Sequence, residues 1–110
     1  MSLTVLFGGS GFFGPIILEK FPEIVSVGRS EPPGHLSNKH VHIDDLENLS
    51  LLDELNIEKV IFLIGSSDHH FLNKSSKAAF DQNVYPLKLV LDYFKHRKLK
   101  KFLCFTTILL

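Results

Sequence analysis

A glycine-rich turn near the N-terminus constrains the fold of this chain more than any other feature. It follows the apolar segment Leu3–Phe7, which is typical of a strand buried on both faces of a parallel sheet. The turn holds three glycines at a spacing of three, Gly8, Gly11 and Gly14, and residues 15–21 then have the pattern of a helix. This order of strand, turn and helix predicts the first unit of a parallel α/β fold.

The same turn has the chemistry of an anion-binding site. Backbone N–H groups point outward there, and the dipole of the following helix favours negative charge. Gly8 would permit the tight turn, Gly11 the close approach of a pyrophosphate, and Gly14 close contact between helix and strand. Backbone N–H groups of Phe12 and Phe13 could meet phosphate, whereas their side chains are expected in the core of the first helix. We interpret the turn as a dinucleotide site, with a plain glycine turn as the alternative.

Four further apolar segments predict the other strands of a five-stranded sheet. They are short, and the segment at 59–64 is apolar enough to be central. Connecting helices make the strands parallel, with right-handed crossovers and the order 3-2-1-4-5. The predicted strands after the first are 23–28, 40–43, 59–64 and 100–106.

Two later segments have helical patterns. Residues 48–55 are predicted to form an amphipathic helix, because four leucines share one face: Leu46, Leu49, Leu52 and Leu55. Another helix is expected from Ser75 or Ser76 to about residue 98, with Pro86 either kinking it or restarting it as a first-turn proline. Its predicted apolar face consists of Val84, Leu87, Val90, Leu91 and Phe94.

Composition limits the class of protein. At a length of 110 residues we expect one domain, 1–110. Its formal net charge is zero, so we expect it to bind neither nucleic acid nor an acidic membrane surface. No apolar segment is long enough to span a bilayer, and a signal peptide is not expected. The one cysteine, Cys104, is expected to be a buried thiol in a reducing compartment, so we expect a cytoplasmic protein. No metal site is expected, because the pairs His40/His42 and His69/His70 lack further ligands at a recognisable spacing.

Phe7–Gly14 (FGGSGFFG) resembles the fingerprint of the extended short-chain dehydrogenase/reductases, the NAD-dependent epimerase/dehydratase family. There the usual form is a small residue followed by Gly-Gly-x-Gly-Phe-Ile/Leu-Gly. Asp45–Leu46 resembles the family's Asp-Leu pair, whose acid lies near the adenine ring, with Asp44 as a competing alignment. Three later segments are similar to family motifs in the same order: Phe62–Ser66, Asn83–Leu91 (where Pro86 and Leu87 depart from the motif) and Phe105–Thr107.

The resemblance implies a Rossmann-type doubly wound parallel sheet that binds NAD or NADP. It implies a parent enzyme that transfers hydride on a nucleotide sugar, in which Thr107 hydrogen-bonds the substrate oxygen. The family's Tyr-x-x-x-Lys pair is absent from this sequence, so we expect the N-terminal, cofactor-binding portion of an oxidoreductase; a non-catalytic NAD(P)-binding or sensing module is the alternative. The implied cofactor-binding residues are Gly8, Gly11, Phe12, Phe13, Gly14, Arg29, Ser30, Asp45, Leu46, Ile64, Gly65, Ser66 and Asn83.

The end of the second strand bears on the choice of cofactor. NAD-preferring proteins usually place an acid there to accept from the ribose 2′-hydroxyl, whereas an arginine suits a 2′-phosphate. Here the residues are Arg29 and Ser30, both of which can donate hydrogen bonds. NADP is therefore slightly preferred over NAD, with a solvated arginine in a mobile loop as the alternative.

The partners expected for the chain follow from this interpretation. They are a dinucleotide and, for the full protein, a nucleotide-sugar-like substrate. With strand five at an edge of the sheet, apolar surface would be exposed, which also predicts association of the chain, a homodimer being one form of it.

Overall fold

The computed structural model describes residues 2–63 and 84–105, and within them the backbone forms one parallel sheet. Its five strands lie in the order β3-β2-β1-β4-β5, which confirms the predicted fold class and strand order. Their bounds are β1 Leu3–Phe7, β2 Val25–Gly28, β3 His40–His42, β4 Ile57–Phe62 and β5 Lys101–Cys104.

The central strand is β1, as its apolar sequence requires. It pairs in parallel with β2 on one side and with β4 on the other, so that Val5 lies between Val25 and Val60. Val5 and Leu6 point to opposite faces of the sheet and neither has exposed surface, so both faces of the strand are buried at these residues. The chain builds outward from β1 to β3 and then crosses to β4. Ligands of doubly wound sheets bind at the carboxyl ends of the strands where the order reverses in this way.

Each face of the sheet has its own apolar core. On one face, Val5 and Phe7 pack in a cluster with Val90 and Phe94 of helix α2, Tyr85–Phe94. The opposite face is covered by helix α1, Gly14–Lys20, which follows the glycine turn. Buried residues of that second, smaller cluster are Leu6, Leu18 and Ile24. Successive side chains of a strand point to opposite faces of the sheet, so the strands contribute to both apolar clusters, as a doubly wound sheet requires.

The prediction of an α-helix over residues 48–55 is wrong, because this segment contains a single 3₁₀ turn, Ser50–Leu52. A leucine spacing of three matches the three residues per turn of a 3₁₀ helix better than the 3.6 of an α-helix. The side-chain oxygen of Asn48 also accepts from the Ser50 hydroxyl at 2.7 Å, a local bond that competes with helix formation. The leucines still contact the core, since Leu49 and Leu52 are buried.

Helix α2 begins at Tyr85, with Pro86 in its first turn. The predicted start at Ser75 or Ser76 lies outside the described residues, so the choice between a kink and a restart at Pro86 stays a prediction. The helix ends at Phe94, four residues before the predicted end. The predicted apolar face is only partly correct. Val90 and Phe94 are buried and Leu87 packs against the core, whereas Val84 and Leu91 are 49% and 44% exposed.

A polar contact ties α2 to the segment after the 3₁₀ turn. The Tyr93 hydroxyl and Arg97 Nη2 each donate to Asp53 Oδ1 at 2.6 Å, and the Arg97 guanidinium lies over the Tyr93 ring. Burial, followed by the hydrogen bond to Asp53, raises the pKa of Tyr93 to about 12. The hydroxyl therefore stays protonated and keeps donating throughout the neutral range.

The predicted burial of Cys104 is wrong. The residue is exposed at the end of β5, although partial burial raises the pKa of its thiol. β5 lies at the edge of the described sheet. The two residues next to Cys104, Leu103 and Phe105, are also 44% and 56% exposed. Among the described residues, no helix has the length and apolar character needed to cross a bilayer.

Two adjacent leucines of the 3₁₀ turn test this description. Leu52 is fully buried, so Leu52→Ala should lower the free energy of unfolding by about 2–5 kcal/mol. Leu51 is 65% exposed, and Leu51→Ala should change it by no more than about 0.5 kcal/mol. Urea denaturation followed by circular dichroism measures both. Equal losses in the two variants would contradict the placement of the turn.

Candidate functional site

The glycine turn leaves β1 through a backbone conformation that favours glycine. Gly8 has φ of 98°, in the left-handed region where a Cβ atom is unfavourable. The N–H of Gly11 donates to the carbonyl oxygen of Gly8 at 3.2 Å, which closes the turn. The sequence expectation that Gly8 permits a tight turn therefore agrees with the geometry.

Gly14 brings the start of α1 against this turn. A Cβ atom built at Gly14 would overlap the carbonyl oxygen of Gly8 and lie 2.6 Å from the carbonyl carbon of Gly9. Both are backbone atoms, which cannot move aside as a flexible side chain can. Gly14 is expected from the sequence to permit close contact between helix and strand; the close contact that the structure shows there is with the backbone of the turn.

Gly9 is a residue that the sequence reasoning missed. A Cβ atom there would lie 2.8 Å from the Ser26 hydroxyl oxygen and 3.0 Å from Leu18 Cδ1. The turn thus lies close to both β2 and α1. The adjacent pair Gly8-Gly9 after an apolar strand is the signal that could have indicated this.

Gly11 differs from the other glycines of the turn. Among the residues that the structure describes, a Cβ atom there would meet only the Gly8 carbonyl oxygen, at 3.5 Å, which is an ordinary van der Waals distance. The fold therefore does not need glycine at this position for space. The expected role of Gly11, close approach of a ligand to the backbone, stays a prediction.

A cleft of about 160 Å³ opens between the turn and the end of β2. It lies at the carboxyl ends of two neighbouring parallel strands, where binding sites of such sheets occur. Arg29 and Ser30, both predicted as cofactor contacts, form part of its wall, and both are exposed. The lining residues are Gly8, Gly9, Ser10, Val27, Gly28, Arg29 and Ser30.

The acidic pair after β3 is not part of this cleft. Asp45 is exposed, and its Oδ1 accepts from the backbone N–H of Glu47 at 2.8 Å. Asp44 Oδ1 instead lies 2.7 Å from His42 Nε2, in a surface pair. Leu46 is half-buried and packs against the core. Neither Asp45 nor Leu46 lines the cleft, so their predicted role at the adenine stays a prediction.

The prediction that Phe12 and Phe13 belong to the core is wrong. Their side chains are 82% and 61% exposed, and the two rings meet edge to face with centroids 4.9 Å apart. The reason is the start of α1: it begins at Gly14, so both phenylalanines precede the helical face that packs on the sheet. Leu18 supplies that contact and is fully buried.

Several predicted site residues lie outside the described residues: Ile64, Gly65, Ser66, Asn83 and Thr107. The same holds for the histidine pair His69/His70. Within residues 2–63 and 84–105, no group of three histidine, cysteine or acidic side chains could hold a metal ion.

Searches by sequence find no matching family model and no matching curated protein. Solved structures do match the fold. A UDP-glucose 4-epimerase matches with a TM-score of 0.78 at 20% identity over 94% of this chain and 35% of its own. MoeE5 in complex with UDP-glucuronic acid and NAD gives 0.77 at 19% identity, over 93% of this chain and 36% of its own.

The Bordetella bronchiseptica enzyme WbmF, in complex with NAD+, matches with a TM-score of 0.71 at 19% identity over 97% of this chain and 38% of its own. The present chain thus spans just over a third of the length of these structures. The likeness confirms the Rossmann-type fold.

The two later glycines of the turn make a matched pair for stability. Gly14→Ala should lower the free energy of unfolding by about 1–3 kcal/mol or more, because its Cβ would press on backbone. Gly11→Ala should leave it unchanged or raise it by up to about 1 kcal/mol, since a Cβ fits and the unfolded chain loses freedom. Urea denaturation without ligand measures both. A larger loss for Gly11→Ala would refute this geometry.

Proposed function

We propose that the chain binds NAD or NADP in the cleft between the glycine turn and the end of β2, as part of an oxidoreductase of the epimerase/dehydratase type. One observation carries the proposal: backbone of the turn forms one wall of the cleft, and Arg29 and Ser30 contribute to the other. The motifs at Phe7–Gly14 and the likeness in fold to NAD-bound structures support it.

The residues that line the cleft fit the negative charge of a dinucleotide. Of its described lining residues none is acidic, and Arg29 is a permanent cation. Gly11 follows the lining residue Ser10 and has no side chain to keep a pyrophosphate away from the backbone. We therefore assign the pyrophosphate to the turn, with Gly8, Gly11 and Gly14 shaping it.

The adenosine ribose is assigned to the end of β2, and NADP is the preferred cofactor. A planar guanidinium can donate two parallel hydrogen bonds to a phosphate, and the Ser30 hydroxyl can add another. The acid that NAD-specific sites place here is replaced by Arg29, and Glu31 comes two residues later.

A bound nicotinamide supplies a carbon that accepts and returns a hydride. This chain would hold and orient it. We assign Asp45 and Leu46 to the adenine side, and Ile64, Gly65, Ser66 and Asn83 to the part of the cofactor beyond the pyrophosphate. Thr107 is assigned to hydrogen bonding with a substrate oxygen.

A nucleotide sugar is the substrate class that we propose for the full protein. Support comes from the fold, which is shared with a UDP-glucose 4-epimerase and with a structure that contains UDP-glucuronic acid. A cytoplasmic location, where NADP is available and a lone cysteine stays reduced, completes the proposal.

Calorimetric titration with NAD and NADP tests the assignment of Arg29. The wild-type chain should bind both and NADP more tightly. Arg29→Ala should lower NADP affinity roughly 10- to 100-fold, because charge-assisted bonds to the 2′-phosphate are lost. NAD affinity should stay within about threefold, since NAD has no such phosphate.

Lys20→Ala is the control for this titration. It removes an equal charge from an exposed position in the last turn of α1, away from the cleft, and should leave both affinities near wild type. An NADP/NAD ratio that is unchanged in Arg29→Ala would refute the preference for NADP. Absence of binding of either dinucleotide at millimolar concentration would refute the proposed function.

A further inference from the structure

The side chain of His40 spans the end of β2 beside the cleft. His40 is the first residue of β3 and pairs in register with Ser26. Its Nδ1 lies 2.9 Å from the Ser26 hydroxyl oxygen, and its Nε2 lies 3.1 Å from the carbonyl oxygen of Gly28. Both ring nitrogens therefore have partners, which fixes the orientation of a half-buried ring.

The partners also determine the direction of these hydrogen bonds. A backbone carbonyl only accepts, so His40 Nε2 must carry a proton and donate to Gly28. In a neutral ring Nδ1 is then an acceptor, and the Ser26 hydroxyl donates to it. Ser26 has no exposed surface, and this bond satisfies its hydroxyl.

The two residues that the His40 ring contacts, Ser26 and Gly28, lie at different walls of the cleft. Ser26 lies against the glycine turn, since a Cβ atom at Gly9 would be 2.8 Å from its hydroxyl oxygen. Gly28 is part of the other wall and directly precedes Arg29. The same carbonyl of Gly28 also accepts from the backbone N–H of Ile43 at 3.0 Å. The Gly28 carbonyl thus accepts two hydrogen bonds, one from the His40 side chain in β3 and one from the backbone of Ile43, the residue after β3.

We infer that His40 is a positioning residue for the cofactor: by holding the Gly28 carbonyl, it sets the direction in which Arg29 and Ser30 leave β2. This inference rests on the proposed function, and it adds a residue outside the cleft to the set that determines the choice between NADP and NAD. Because the Ile43 N–H remains when His40 is changed, the effect is a loosening of the peptide group rather than its release.

A matched pair of amide variants separates the two contacts of the ring. The side-chain nitrogen of Gln can take the place of Nε2, so His40→Gln should retain the donor to Gly28 and keep both affinities within about twofold of wild type. The shorter Asn reaches only the Ser26 side. His40→Asn should lower NADP affinity about three- to tenfold while NAD affinity stays within about twofold.

A merely structural role would lower both affinities together, so an equal loss of NAD and NADP binding in His40→Asn would overturn the inference, as would no loss of either. If the wild-type chain binds NADP and His40→Asn matches it, only this inference fails. If the wild-type chain binds neither dinucleotide, the proposed function fails and this inference with it.

The wild-type chain provides a second measurement that does not depend on the folding of a variant. Long-range ¹H–¹⁵N NMR correlations of the imidazole, at a pH where the ring is neutral, report its tautomer. We expect His40 to be protonated on Nε2, and its ring signals to shift more on saturation with NADP than with NAD. A proton on Nδ1 would overturn the inference, because the Gly28 carbonyl cannot donate. Equal shifts with both cofactors would also overturn it.

Discussion

The contact between Gly14 and the backbone of Gly8 and Gly9 is the constraint on which the rest of this site depends. It fixes where α1 begins relative to the end of β1. From that start Leu18 reaches the face of the sheet and is fully buried with Leu6. A side chain at Gly14 would push the helix away from the turn, and both the smaller core and the glycine wall of the cleft would change together.

The other wall of the cleft depends on parallel strand pairing. β2 lies between β1 and β3, so its end is held on both sides. At that end, the Gly28 carbonyl accepts from the Ile43 N–H and from the His40 ring. Arg29 is the first residue after β2, and its side chain is exposed at the cleft. The peptide group that joins it to Gly28 is held by the two hydrogen bonds to the Gly28 carbonyl. An exposed cation next to a peptide group that is held in place is suited to binding a phosphate.

Local patterns were sufficient to predict the strands, their order and the turn at Gly8, because apolar runs and glycine spacing reflect backbone requirements directly. Features that depend on tertiary contacts were not predicted. A leucine spacing of three fits both an α-helix and the observed 3₁₀ turn. The exposure of Phe12 depends on where α1 begins, and the need for Gly9 depends on the position of Ser26. None of these is a property of a local pattern.

The most direct test of the account is the NADP affinity of Gly11→Val, measured beside its free energy of unfolding. Among the described residues a Cβ atom at Gly11 makes only an ordinary van der Waals contact, so we expect the variant to fold with a stability within about 1 kcal/mol of wild type. Its side chain would occupy the approach of the pyrophosphate, so NADP affinity should fall at least about tenfold. A stable Gly11→Val chain that binds NADP as tightly as wild type would contradict the assignment of the glycine turn as the dinucleotide site.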